Sequence, residues 1–216
     1  MKQFMFTVMS VVLIMSCAQT QTKNVGIPVG SKQNKSANEA VATFGEGCFW
    51  HAEIVFQSLA GVRDAVSGYA GGKAKNPDYE TVCSGSTGHA EVVNVYYDPS
   101  VISYETLVKA FFASMDPTEL NRQGNDAGTQ YRSIAFYRND KEKAVLDAEI
   151  KSLTDSKKYH DKIVTQVVPF TTFYTAEDYH QEYISNHPAN PYVQNVSIPD
   201  YLKFRSEFKG NFKGKG

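Results

Sequence analysis

The chain has 216 residues, 42% of them hydrophobic, which is enough for one sizeable core. Its 22 basic residues against 23 acidic ones leave a formal charge of −1, which argues against nucleic-acid binding; the one basic cluster is the short tail over 209–215. Three cysteines with no CxxC pair exclude a disulfide scaffold and a four-thiolate zinc site, and no run of about 18 apolar residues offers a spanning helix.

At the N-terminus, Lys2, an apolar stretch over 4–15 and the small residue Ser16 precede Cys17. This is the layout of an export signal. Ile14-Met15-Ser16-Cys17 resembles a bacterial lipobox, in which Cys17 is acylated and becomes the mature N-terminus, although Met15 departs from that pattern. Cleavage near Ala18 by an ordinary signal peptidase, leaving a soluble secreted protein, is the competing reading. Residues 17–40 are polar and carry too little apolar surface to offset their chain entropy. The organisation is therefore a signal over 1–16, a disordered tether over 17–40 and one domain over 41–216. Lipid on Cys17 would hold it to a membrane of the bacterial cell envelope, on the periplasmic or surface side.

Residues 41–44 predict a short strand. Beyond Gly45-Glu46-Gly47, the helical spacing of Phe49, Ala52, Phe56 and Leu59 puts Cys48 at a helix N-terminus. A strand over 62–69 runs into Gly71-Gly72 and Asn76-Pro77-Asp78, which predict a long loop. Residues 91–97 predict a strand stopped by Asp98-Pro99. Ser103 then caps a helix with Leu107, Val108, Phe111, Phe112 and Met115 on its apolar side, ended by Asp116-Pro117. A polar loop over 121–130 feeds a strand over 131–137. Asn139 with Glu142 opens a helix that buries Leu146, Ile150 and Leu153. A strand over 162–168 and a short helix opened by Thr175 and Asp178 follow, and Pro188, Pro191 and Pro199 predict an irregular tail. Strands and helices mix without strict alternation. The fold class is α+β: a single domain with a mixed β-sheet and flanking helices, in two layers.

Three stretches carry the chemistry. Cys48 lies between Gly47 and Phe49-Trp50, and the positive end of a helix favours its thiolate as a nucleophile. On residue type alone, a buried structural thiol is the better reading. The other two stretches, 83–91 and 123–133, are loops rich in glycine and hydrogen-bonding side chains, fed by core strands. Taken singly, Glu91 could be a solvated strand-end charge and Tyr131 a core tyrosine.

Together, Gly47-Cys48-Phe49-Trp50, the Gly68-Tyr69-Ala70-Gly71-Gly72 turn, Gly88-His89-Ala90-Glu91 and residues 123–133 resemble, in the same order, the A-type peptide methionine sulfoxide reductases. The resemblance covers roughly 44–183. It implies a mixed sheet with flanking helices, one shallow active site and action on the S epimer of methionine sulfoxide, in proteins or free. It makes Cys48 the nucleophile, Glu91 the acid, Tyr79 and Tyr131 hydroxyl donors and Asp126 a supporting carboxyl. Phe49 and Trp50 become the wall around the substrate methyl. The chemistry asks for the same types: a sulfoxide sulfur yields to a thiolate only if its oxygen is neutralised, and an apolar setting keeps a carboxyl protonated for that task. The product on Cys48 is a sulfenic acid.

His89 could donate to the substrate oxygen or simply bond the neighbouring loop backbone, and it stays outside the catalytic set. His51 stands where the family often has glycine. Many relatives carry recycling cysteines in a glycine-rich tail, whereas residues 190–216 contain none. Cys83, expected in a packed strand, is the only other thiol of the domain. The implied reductant is then an external thiol, thioredoxin-like, glutaredoxin-like or dithiothreitol, with no bound cofactor and no metal. The expected partners are oxidised proteins or free methionine sulfoxide and a thiol reductant protein, and the expected state is a monomer. Competing readings are a cysteine acyl-transferase or hydrolase using Cys48, His89 and Asp126, and a non-enzymatic binding lipoprotein with a groove lined by Phe49, Trp50, Tyr79 and Tyr131.

Overall fold

A computed structural model describes Lys35 and residues 37–214. The signal, Cys17 and nearly all of the tether lie outside the described residues. Glu39, one residue ahead of the first strand, forms an ion pair with Arg63.

A six-stranded sheet in the order β7-β6-β1-β3-β2-β8 forms the centre. Its strands are β1 (Ala40–Glu46), β2 (Val62–Ala70), β3 (Ala90–Tyr97), β6 (Ser133–Tyr137), β7 (Gln166–Pro169) and β8 (Phe173–Thr175). β1 runs antiparallel to β3 and β6, β2 antiparallel to β3 and β8, and β6 parallel to β7, so the sheet is mixed as expected. The polar loop over 121–130 holds a tiny ladder of β4 (Arg122–Gln123) and β5 (Asp126–Ala127).

Alternation along the strands separates two apolar faces. Phe44, Val93, Val95 and Ala135 join the main core, shared with α1 (Phe49–Gln57), α3 (Tyr104–Ala113) and α4 (Asp140–Asp155). Phe44 stacks there on Phe56 and Phe111, with centroids 5.3 and 5.1 Å apart. Val92, Ile134 and Phe136 point the other way, into a smaller cluster closed by Phe170 and Phe173. Ser103 and Asn139 cap α3 and α4 through side-chain oxygens that accept the Thr106 and Glu142 amides.

Several segments depart from the sequence reading; Thr175, expected to open a short helix, instead ends β8, and only a 3-10 turn follows at Asp178–His180. Residues expected to continue a loop form α2 (Tyr79–Cys83), because Asp78 and Thr81 make a reciprocal capping box. The tail is not irregular: α5 (Tyr183–Asn186) and α6 (Ile198–Glu207) lie within it. Pro199 sits in the first turn of α6, where a missing N–H costs nothing. Tyr201 and Phe204 of α6 are buried in the main core.

Candidate active site

Cys48 is the residue at which β1 turns into α1. The turn needs glycine at two places. Gly45 sits in the sheet so close to β3 that an added Cβ would lie 2.6 Å from the Glu91 carbonyl oxygen. Gly47 has φ +110, a conformation that side chains resist. The register pairs Phe44 with Val93 and Tyr69 with Glu91, so Glu91 starts β3 beside the end of β1. The first amide of α1, Phe49 N–H, donates to the Glu91 carboxylate at 3.1 Å.

Glu91 is 1% exposed, and burial is the main cause that raises its pKa from 4.5 to about 8. The Phe49 amide pulls it down and the charge of Asp126 pushes it further up. At neutral pH Glu91 is therefore a protonated acid. Burial and the Glu91 charge also push the Cys48 thiol well above its usual range, while the Trp50 and His51 amides pull the other way. The helix end alone does not make a resting thiolate here. Protonation of Glu91 removes the like charge that most opposes it.

The remaining sequence candidates surround this pair. Tyr131 ends a short 3-10 turn and lies within electrostatic reach of Glu91, Cys48 and Asp126. Tyr79 opens α2 and lies within electrostatic reach of Cys83, Glu91 and Tyr131. Burial first, then these neighbours, raises the pKa of both phenols, so both keep their protons. Phe49 is buried against Tyr69 and His180, with centroids 5.8 and 4.9 Å away. Trp50 is half-buried and stacks on Tyr183 at 3.7 Å and 6°.

Cys83 is not a core strand residue. It is the last residue of α2, half-buried, and burial is the chief cause that raises its pKa. His89 bonds the neighbouring loop: its Nδ1 accepts from the Gly72 amide at 3.1 Å and its Nε2 meets the Ala74 carbonyl at 2.8 Å. Both ring nitrogens are thus used, and a Cys48–His89–Asp126 triad has no imidazole to run it. Among the described residues no cluster of His, Cys, Asp or Glu could hold a metal ion.

Sequence reasoning missed four residues, all in the segment after β8. Glu177 accepts from the Tyr79 amide at 2.9 Å and the Tyr69 hydroxyl at 2.8 Å. His180 Nδ1 accepts from Trp50 Nε1 at 3.1 Å, with its ring 4.4 Å from Tyr79. Tyr183 carries the Trp50 stack, and the Tyr192 hydroxyl donates to Asp126 at 2.5 Å. The visible signal was the density of aromatic and acidic residues over 174–192, which the prolines obscured.

A half-buried thiol, a protonated carboxyl and two phenols against an aromatic wall suit reduction of a polarised S=O bond by sulfur. The family profile described as peptide methionine sulfoxide reductase matches residues 40–212. The peptide methionine sulfoxide reductase MsrA of Polynucleobacter asymbioticus is 49% identical over 168 residues, covering 78% of this chain and 88% of the relative. Saccharomyces cerevisiae Mxr1 in its reduced form superposes with a TM-score of 0.68 at 36% identity, covering 73% of this chain and 91% of Mxr1. Mxr1 in complex with Trx2 is also similar, with a TM-score of 0.50 at 26% identity over 72% of this chain and 92% of the other. The chain belongs to the peptide methionine sulfoxide reductase family. It is an A-type member, an oxidoreductase that reduces methionine sulfoxide and so repairs oxidised protein.

Proposed function

We propose that Cys48 attacks the sulfur of an S-epimer methionine sulfoxide while Glu91 passes its proton to the sulfoxide oxygen. The observation that carries this reading is the Phe49 amide, which ties the buried, protonated Glu91 to the first turn of the helix that Cys48 caps. Tyr79 and Tyr131 hold the oxygen with their hydroxyls, and Asp126, fixed by Tyr192, supports the far side. Phe49 and Trp50 form the wall around the substrate methyl. The Cys48 sulfur bonds the substrate sulfur as the sulfoxide oxygen takes the Glu91 proton; that hydroxyl then passes to the Cys48 sulfur, the substrate S–O bond and the new S–S bond break, methionine departs, and Cys48 is left as a sulfenic acid.

With no cysteine after Cys83, an external thiol restores the enzyme, and a thioredoxin-like protein is the natural donor given the family member solved with Trx2. One equivalent of peptide S-sulfoxide without reductant should release about one methionine per chain and leave Cys48 trappable by dimedone. Consumption of both epimers at equal rates contradicts the substrate assignment. A Cys48–Cys83 disulfide with no adduct would make Cys83 the resolving thiol.

We further propose that the domain acts as a monomer tethered by lipid on Cys17 at the cell envelope, a reading supported by the lipobox-like Ile14-Met15-Ser16-Cys17 and the polar stretch behind it. Labelled palmitate should enter the full chain but not Cys17→Ser, which should leave the membrane fraction. Unlabelled wild type contradicts it.

A further inference from the structure

Beside Cys48, away from the aromatic wall, lies a cavity of about 280 Å³ whose lining includes Cys48, Glu46, His51, Asp126, Ser197 and Asp200. Two of these side chains have no use in the reduction step, and both are poorly satisfied. Glu46 ends β1 with its side chain fully buried; Oε2 accepts from the Ser114 hydroxyl at 2.7 Å, but among the described residues Oε1 has no hydrogen-bond partner. His51 lies on the first turn of α1, its amide donating to the Cys48 carbonyl at 3.1 Å; the Ser114 and Ser197 carbonyls lie near the ring, but among the described residues neither ring nitrogen makes a well-formed hydrogen bond. His51 Nε2 stands 3.9 Å from the free Glu46 oxygen. Buried polar atoms without a protein partner cost stability unless water or a ligand entering the cavity satisfies them.

The catalytic cycle needs a second proton transfer at the same sulfur. Cys48 as a sulfenic acid reacts with a thiol RSH: the thiol sulfur's electron pair forms the S–S bond, the S–O bond breaks, and the hydroxide leaves. The thiol must lose a proton and the hydroxide must gain one, so the step yields the mixed disulfide and water. A second RSH then attacks the mixed disulfide, giving RSSR and the Cys48 thiol. We infer that His51, backed by Glu46, is the proton carrier of this recycling half-reaction, taking the proton of a thiol admitted through the cavity and handing it to the hydroxide that leaves Cys48.

The electrostatics agree with the geometry. Burial lowers the His51 pKa, while Asp200 and the Ser114 and Ser197 carbonyls pull it back up, so the ring is neutral at rest and free to accept a proton. Glu46, raised by burial to about 8, steadies the ring as a neutral partner and becomes a counterion when the imidazole is charged. Asp126, Cys48 and Tyr192 are the other titratable groups facing the cavity. Tyr192, Asn195, Val196, Ser197 and Asp200 line it on the C-terminal side, and among the described residues Cys48 is the only cysteine on it.

This inference rests on Cys48 as the sulfur that carries the oxygen, and the test separates the two. Wild type, His51→Ala, His51→Gln and Glu46→Gln are mixed with excess peptide S-sulfoxide and small thiols whose pKa values lie above and below neutral pH. Methionine is followed through the first turnover and into the steady state. All should show a burst of one methionine per chain, which also reports that the variants are folded. The His51 variants should then turn over about 100-fold more slowly with the weakly acidic thiols. Their deficit should shrink with acidic thiols, which arrive as thiolates, and imidazole should restore part of the rate to His51→Ala. Glu46→Gln should show a smaller deficit of the same pattern. An intact burst followed by a wild-type steady state in His51→Ala overturns the inference alone. So does an equal loss with every thiol and no rescue by imidazole. No burst in wild type overturns the Cys48 reading and this inference with it.

Discussion

The two sides of the active site are built by different means. Cys48 and Glu91 are placed by backbone: β1 and β3 are paired neighbours, Gly45 lets them close, and the Phe49 amide fastens the carboxyl to the helix. The segment over 177–192 contributes only short helical turns and reaches the site through side chains, from Glu177, His180, Tyr183 and Tyr192. A group placed by the sheet cannot shift without breaking the sheet, whereas the segment can be detuned one contact at a time. In the proposed mechanism the reacting atoms sit on the first side and the groups that brace the substrate wall on the second.

Substitutions on the sheet side should have the largest effects. Cys48→Ser should abolish methionine formation, because a hydroxyl cannot accept the oxygen; Cys83→Ser should retain activity with dithiothreitol. Measurable turnover by the Cys48 variant would remove it from the mechanism. Glu91→Gln keeps the shape but not the acidity, and should lower the first-turnover rate about 100-fold while binding substrate normally. A rate within a factor of about two of wild type would shift the acid to Tyr79 or Tyr131.

Detuning the C-terminal segment should cost less. Glu177→Gln weakens the contacts that set Tyr79 and Tyr69, and the loss of about 1–2 kcal/mol expected for such a bond predicts roughly a tenfold fall in kcat/KM. An effect as large as that of Glu91→Gln would erase the contrast between the two sides.

A further effect is on stability rather than rate. Glu46, Glu53 and Glu91 have pKa values raised from 4.5 to about 8, 7 and 8, burial being the first cause in each. In that window the native chain keeps protons that the unfolded chain has released, so stability is greatest near the lower bound and falls as pH rises toward 8. Melting temperature should decline from pH 5 to pH 8, and Glu91→Gln should flatten part of the slope. A rising Tm across that range would contradict the burial of these acids as neutral groups.

The same division explains what the sequence revealed. Hydrophobic alternation and helical spacing located β1, α1, β3, α3 and α4, because each buries one regular face. The signals for α2 and α6 were local and were outvoted: Asp78 and Thr81 formed a capping box inside a stretch dominated by Gly and Pro, and Pro199 read as a breaker although it occupies a helix first turn. Of the proposed site, Cys48, Glu91, Tyr131, Asp126, Phe49 and Trp50 stood in recognisable motifs, and Tyr79 came only with the family resemblance as a whole. Glu177, His180 and Tyr192 act across 98 to 130 and 66 residues of chain, and no local pattern records which distant atom a side chain will meet.

The central claim is that Glu91 works as a buried neutral acid beside the Cys48 thiol. The pH dependence of the first-turnover rate, measured by rapid quench for wild type and Glu91→Gln, tests it most directly. The wild-type rate should fall as pH rises through about 8, where Glu91 loses its proton, and this falling limb should be absent from the slower Glu91→Gln enzyme. A wild-type rate that keeps rising past that pH as the thiol ionises, in parallel with Glu91→Gln, would contradict the account.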